Sequence, residues 1–552
     1  MNFKIAESTK QIKNSIRLDF DRRDLFMTFK YCINKIKLFI KNSVMICKKS
    51  FSCENFATKL ELLTNKLIKL YKESDFYKNY ITKLMLYIDK LIKTYKESNL
   101  YKKYVTKLIL YINVLIKTYK ESNLYKKYMT KLMLYINKFS KEIFGIILIR
   151  MTLDFIYVNY ISLYFRYYGF LYEPNLGKYI LSWILLIIFI PYIINLNRKI
   201  TFSSLILTLL VYLSFLPFTT MIAFYPFSMF FIFQNYIYWL ILFLIFKYMP
   251  KIKFPRLKQN KISDKIIYSI LIVFMITVLF ISCKFTGFRL TLDIFSVYEL
   301  REAASNFKIP IIISYIFAAS KVINPILMVY YFSKKKNKIA FLILVIQLLS
   351  FSIDGSKSVL VGTFIAALLY WLYKDKYILR IPWLFSFFGL ISISETIISK
   401  NMFIINFIIR RVFFLPNLLH FYYYDFFTKN TPDYFRQSFL RYFNFRSPYP
   451  IIDNMIGDIY FNKPEMGANN GLISDAFTNF GLIGIIIMPL FVILVLKILD
   501  ACSEGLNNRI IIASAIIITF IFISSFFFTI LLTHGLIALC IILYLLPREY
   551  IE

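Results

Sequence analysis

Residues 177–196 read GKYILSWILLIIFIPYIINL, twenty positions carrying one charge, Lys178. A helix of that length rises about 30 Å, the thickness of the hydrocarbon of a bilayer. Asn197-Arg198-Lys199 follows at once, polar and basic. The same pattern, an apolar run closed by a basic loop, recurs outward from here toward the C-terminus. It predicts an all-α, polytopic helical membrane protein with about 12 transmembrane helices. The spans fall at about 143–166, 177–196, 201–217, 229–248, 264–283, 309–332, 338–353, 358–373, 381–399, 477–497, 509–531 and 534–547. The turns at 354–357 and 532–535 are equally compatible with re-entrant hairpins.

Composition agrees. Of 552 residues, 58% are hydrophobic and 18% charged, against roughly 45–50% and about 25% in soluble domains. That excludes a disordered chain and argues against a single water-soluble core. Only 14 Gly and 16 Pro exclude collagen-like material. The six cysteines form no CxxC pair, and Cys47 and Cys53 have no His nearby, a poor spacing for zinc. With His420 and His534 the only histidines, a His-rich metal site is excluded, and no metal or cofactor is expected. The first 25 residues alternate charged and apolar groups, so no secretory signal peptide is expected.

The formal charge of +36 is unevenly spread. Residues 1–140 hold 30 Lys or Arg and 11 Asp or Glu, a net of +19. Within the arm, 1–142, a unit of 24 residues recurs almost unchanged at 67–90, 91–114 and 115–138, the second copy reading LIKTYKESNLYKKYVTKLILYINV. Leu91, Tyr95, Tyr101, Tyr104, Leu108 and Ile112 recur mostly at helical spacing, with Lys on the other face. Such an arm suits membrane lipid of an anionic leaflet, each well-placed cation contributing about 1 kcal/mol. The alternative is a recent tandem duplication forming a solvated or self-associating helix. No nucleic-acid-reading motif appears, so nucleic acid is not an expected partner.

The basic loops put 1–142, 197–199, 251–265, 334–336 and 374–380 on one side, which the positive-inside rule makes cytoplasmic. An even number of spans returns the C-terminus to that side. The expected layout is a basic helical arm (1–142), nine spans (143–399), a large extracytoplasmic loop (400–476) and three further spans with the C-terminus (477–552).

Candidate chemistry lies in the outward loops. Arg289, Glu299, Arg301 and Glu302 stand in the first, and Arg410-Arg411 opens the third inside an otherwise apolar stretch. Cations beside hydrocarbon are costly unless they face a polar cavity or an anion, and a guanidinium fork matches phosphate oxygens. Four arginines, Arg289, Arg301, Arg410 and Arg411, are therefore candidates for a shared diphosphate site; snorkelling to lipid headgroups is the alternative. Lys357, in Asp354-Gly355-Ser356-Lys357-Ser358, is a further phosphate ligand candidate, though the P-loop spacing is absent. His420 lies about 2.8 turns after Arg410 on a helix and is a candidate base, with Asp425, Glu299, Glu302, Glu465 and Asp475 the other carboxylates.

Three stretches carry a resemblance: Tyr298-Glu299-Leu300-Arg301 before a span; Arg410-Arg411 followed by Pro416-Asn417 and Tyr422-Tyr423-Tyr424-Asp425-Phe426; and GANNGLISDAFTNFGLIG at 467–484. Over about 143–546 the chain resembles the Wzy-type oligosaccharide repeat unit polymerases of O-antigen and capsular polysaccharide biosynthesis. The resemblance implies a GT-C-like membrane glycosyltransferase of the bacterial cytoplasmic (inner) membrane. Such an enzyme joins undecaprenyl-diphosphate-linked oligosaccharide repeat units at the outer face without a metal. It implies that Arg301, Arg410 and Arg411 bind the leaving diphosphate; Arg289 and Lys357 stay candidates from the reading of the loops alone. His420, then Asp425 or Glu299, is the base; Asn469, Asn470 and Asp475 order sugar hydroxyls or the loop itself, and Tyr424 is a further substrate-binding candidate. A chain-length regulator and a flippase are possible partners. The long N-terminal arm departs from the family pattern. An O-antigen ligase shares the layout and stays open. A transporter or flippase of lipid-linked oligosaccharide is disfavoured by spans nearly free of charge.

Overall fold

The computed structural model describes residues 123–548, apart from 198–199, 256–260, 292, 294–296, 373–379, 439 and 465. The chain divides into two compact units, Met1–Tyr135 and Ile136–Glu552. The repeats lie outside the described residues up to residue 122, and from Asn123 onward the arm is helical.

The second unit is all-helical among its described residues. Among the described residues, nine helices are long and apolar enough to cross a membrane. They are α1 (Phe139–Tyr164), α2 (Leu176–Leu196), α3 (Phe202–Phe224), α4 (Met229–Tyr248), α5 (Ser263–Thr286), α7 (Ile311–Ser333), α8 (Asn337–Asp354), α10 (Ile381–Ser399) and the run Ile473–Ser503. Three of the twelve expected spans are shorter helices: α9 (Lys357–Leu372), α15 (Asn508–Ser524) and α16 (Leu536–Leu545). Even the 17 residues of α15 rise only about 26 Å, short of the roughly 30 Å of hydrocarbon.

Helix starts follow local chemistry. The Asn175 side chain accepts from the Lys178 N–H at 3.0 Å, Thr201 and Ser204 form a reciprocal capping box, and Ser228 accepts from the Phe231 N–H at 3.2 Å. Helix α3 is the innermost, with 94% of its apolar window buried. It therefore presents hydroxyls rather than lipid-facing chains to its neighbours. Outer helices carry the exposed belt instead, with Ile187 and Ile188 on α2, Phe341 on α8 and Phe387 on α10.

The spans hold more charge than expected. Arg150, fully buried in α1, pairs with Asp154 and donates to the Thr219 hydroxyl and carbonyl and the Ser182 hydroxyl, each at 2.9 Å. Lys321, midway along α7, pairs with Asp354 at the end of α8 and lies 4.2 Å from the centre of the Phe317 ring. Each cation has a carboxylate within the bundle, the arrangement that makes burial in hydrocarbon tolerable.

The segment 400–476 is largely helical. Helix α11 runs over residues 405–427: Ile405–Phe414 is wound as a π-helix and Leu415–Phe427 as an α-helix. Helix α12 is Ile452–Phe461. The expected passage of the 467–484 motif straight into a span is seen in the apolar run Ile473–Ser503, but that run carries a sharp bend. A short α13 (Ile473–Phe480) breaks at Gly481, where φ is +56° and ψ −137°. It bends so sharply that a Cβ on Gly484 would stand 2.0 Å from the Ala476 carbonyl. Past the bend the run continues as α14 (Gly484–Ser503).

Candidate functional site

Two groups of cations lie at the end of the bundle where α1, α5, α8 and α10 finish. The first forms around the turn between α8 and α9. Gly355 closes α8 at φ +63°, and a Cβ there would stand 3.0 Å from the Val297 carbonyl and 3.1 Å from Leu300. The surface helix α6 (Val297–Ser305) thus seats on this turn and presents Glu299 and Arg301, both exposed and without a hydrogen-bonding or charged partner among the described residues. Arg289 reaches the Ser352 carbonyl at 3.4 Å, and the Thr291 N–H donates to the Ser352 hydroxyl at 3.0 Å. Lys357 opens α9 with its ammonium 5.7 Å from the centre of the Phe407 ring. The Arg411 guanidinium stands 5.8 Å from the same ring. Arg289, Arg301, Lys357 and Arg411 therefore gather around one turn and one ring.

Arg410 goes elsewhere. Only 3% exposed, it donates from Nε and Nη2 to the side-chain amide oxygen Oδ1 of Asn406 at 3.0 and 2.8 Å. Its guanidinium lies 4.8 Å from the Phe165 ring and 4.5 Å from the Tyr168 ring. The ammonium of Lys463, just past α12, lies 5.2 Å from that same Tyr168 ring. The expected convergence of all four arginines is thus not what the fold builds: α11 separates Arg410 from the others.

An aromatic wall continues from Tyr168. The next residue, Gly169, has φ +88° and lies against the Tyr422 hydroxyl. Tyr422 stacks on Tyr460 with ring centres 4.4 Å apart and planes 12° from parallel. The Tyr460 hydroxyl donates to Asp425 at 2.7 Å, and Lys429 pairs with the other oxygen at 2.6 Å. Partial burial of Asp425 works against its charge. The hydrogen bonds from Lys429 and Tyr460 outweigh that and hold the carboxyl below the ordinary carboxylate range. A cation pair, a stacked phenol wall and an ionised carboxylate therefore follow one another along this face.

The other expected residues occupy different ground. His420 is fully buried, and its ring nitrogens make no hydrogen bond of full geometry, the Gly471 backbone being the polar group acting on it. Tyr424 packs among Phe231, Phe421 and Phe477. Asn469 is exposed. Asn470 donates to the Pro416 carbonyl at 2.9 Å and the Ser474 hydroxyl at 2.8 Å. Asp475 accepts from the Phe527 N–H at 2.7 Å and from Asn479 at 2.6 Å, and Asn479 in turn accepts from the Phe435 N–H at 2.7 Å. Asn470 and Asp475 thus tie α13 to α11 and to the stretch after α15. Glu465 lies outside the described residues.

Sequence reading missed Tyr168, Tyr460 and Lys463 as neighbours of Arg410 and Asp425. Their only signal was Tyr422 in the Tyr-rich run after Arg411. No family model, no curated protein and no solved structure matches this chain, and the chemistry of the site is read from its own geometry.

Proposed function

We propose that the chain is a bacterial surface polysaccharide polymerase that joins lipid-diphosphate-linked oligosaccharide repeat units at the outer face of the cytoplasmic membrane. The observation that carries this reading is the sharing of the Tyr168 ring by Arg410 and Lys463, beside the Tyr422–Tyr460 stack and Asp425. In the proposed reaction an acceptor hydroxyl oxygen bonds to the anomeric carbon of the donor as the bond from that carbon to the diphosphate oxygen breaks. The hydroxyl proton passes to Asp425, and the diphosphate leaves with the charge, which Arg410 and Lys463 neutralise. The flat phenol faces suit the apolar faces of sugar rings. Arg411, Lys357, Arg289 and Arg301 offer a second anionic contact at the same end. In this reading both termini are cytoplasmic.

One observation favours a second reading. Lys321–Asp354 and Arg150–Asp154 are ion pairs inside the bundle, a feature of transporters. One experiment separates the two: polymer banding in cells making the cognate lipid-linked repeat unit, with the chain deleted, wild type, Arg410→Ala, Lys463→Ala or Arg301→Ala. Polymerase predicts single-unit glycolipid on deletion, a ladder with wild type and its loss in inserted Arg410→Ala and Lys463→Ala. Repeat units held on the cytoplasmic face upon deletion indicate a transporter. Full-length polymer left on its lipid carrier indicates a ligase.

A further inference from the structure

At the opposite end of the bundle, where α2, α4 and α14 finish and α3 and α15 begin, the chain forms a cavity of about 1080 Å³. Its wall carries four cations, Lys251, Lys253, Lys497 and Arg509, against two carboxylates, Asp500 and Glu504. The surplus is positive, and the wall is made by this one chain. The described part of the loop that follows α4, with Lys251 and Lys253, lies at this same end.

The charges are held in place. Asp500 accepts from the Ser203 N–H at 2.8 Å and from the Ser203 hydroxyl, so this carboxylate serves the start of α3. Lys497 is only 7% exposed, with its ammonium 4.5 Å from the centre of the Phe246 ring. Lys251 and Lys253 are exposed on the loop after α4. The first residues of both α3 and α15 line the cavity, which adds the positive ends of two helix dipoles to the side-chain cations. Phe246, Ile252 and Leu506 complete the wall with apolar surface. The ends of spanning helices lie at the depth of lipid headgroups, where a basic pocket between helices meets anionic lipid.

We propose that this cavity binds the phosphate of an anionic phospholipid headgroup. A soluble phosphate satisfies the same cations, so the test separates the two sources. The full chain is purified in detergent and titrated with phosphatidylglycerol, phosphatidylcholine or inorganic phosphate, with bound equivalents followed by native mass spectrometry. The basic arm is common to every variant, so the comparison with wild type isolates the cavity. The tightest phosphatidylglycerol equivalent should weaken roughly tenfold in the Lys251→Gln, Lys253→Gln double variant, with phosphatidylcholine showing no such equivalent. Lys497→Gln should act in the same direction; the loop variant serves even where the buried substitution fails to fold. Equal phosphatidylglycerol affinity in wild type and the loop double variant overturns the proposal. Displacement of the lipid by millimolar inorganic phosphate overturns the lipid assignment in favour of a soluble phosphate.

Discussion

Gly169 lies directly against Tyr422: a Cβ at position 169 would stand 2.2 Å from the Tyr422 hydroxyl oxygen. That closeness, with φ at +88°, fits the turn after α1 to the aromatic wall. Gly169→Ala should cost about 1–3 kcal/mol through overpacking and backbone strain. Adding Tyr422→Phe, which removes the oxygen in the way, should recover part of the loss. Thermal unfolding of the single and double variants checks this; no recovery in the double variant would leave only the backbone term.

Arg410 makes two hydrogen bonds to one amide oxygen while lying between two rings. A lysine there keeps the charge but loses the fork and the planar stack. Arg410→Lys should therefore fall nearly as far as Arg410→Ala, about a hundredfold in polymer formed per inserted protein, the scale of removing one preorganised charge-stabilising donor. Near-normal ladders from Arg410→Lys would reduce its role to bare charge.

In the proposed reaction Asp425 is the group expected to carry the pH dependence. Its carboxyl titrates below the ordinary range in the folded chain, so its contribution to stability is present at neutral pH and is lost as pH falls through that lowered value. Lys429→Ala removes one of the groups holding it down and should move the acid limb of activity upward in pH. Asp425→Asn should abolish activity across the range if the carboxylate accepts the proton. An unchanged acid limb in Lys429→Ala would assign that limb to another group.

Asn469 and Asp475 come from one motif yet should behave oppositely. Asp475→Ala leaves the Phe527 N–H without its buried acceptor and takes one of two acceptors from the Asn479 amide, which keeps the Asp475 carbonyl, a loss of about 1–3 kcal/mol for the group left unsatisfied. Asn469→Ala, on an exposed side chain, should stay within about 0.5 kcal/mol. Unfolding midpoints show the contrast directly; loss of polymer in a stable Asn469→Ala variant would give Asn469 a part in substrate binding.

Lys321 and Asp354 should be coupled. The pair is part-buried, with side chains 16% and 23% exposed, so removing either partner should cost less than the about 3–5 kcal/mol of a fully buried pair, and removing both less still. A double-mutant cycle with Lys321→Met and Asp354→Asn should show single losses larger than the double one. Additive losses would mean the two charges are satisfied separately.

Most of the membrane architecture was legible because hydropathy is local and additive. The spans expected at 177–196 and 229–248 match Leu176–Leu196 and Met229–Tyr248 within a residue. The segment 400–476 was less legible. Two adjacent arginines lower its hydropathy, and nothing local shows that Arg410 turns inward while Arg411 stays exposed. The neighbours of Arg410 come from residues 165–168 and 463, and a tyrosine among 43 tyrosines carries no mark of its partner. Of the ion pairs in the bundle, Arg150–Asp154 has i,i+4 spacing on one helix, whereas Lys321 finds Asp354 across a helix boundary that sequence spacing does not encode.

The helix α11 acts as a partition. Arg410 joins Phe165 and Tyr168 on one side, and Arg411 joins Phe407 and Lys357 on another. Two anions held at these places would be insulated from one another by packed, low-dielectric protein, each meeting its own cations before it meets the other's charge. Mutual repulsion between like-charged molecules, the chief obstacle to seating two of them side by side, would be met by each guanidinium in its own compartment.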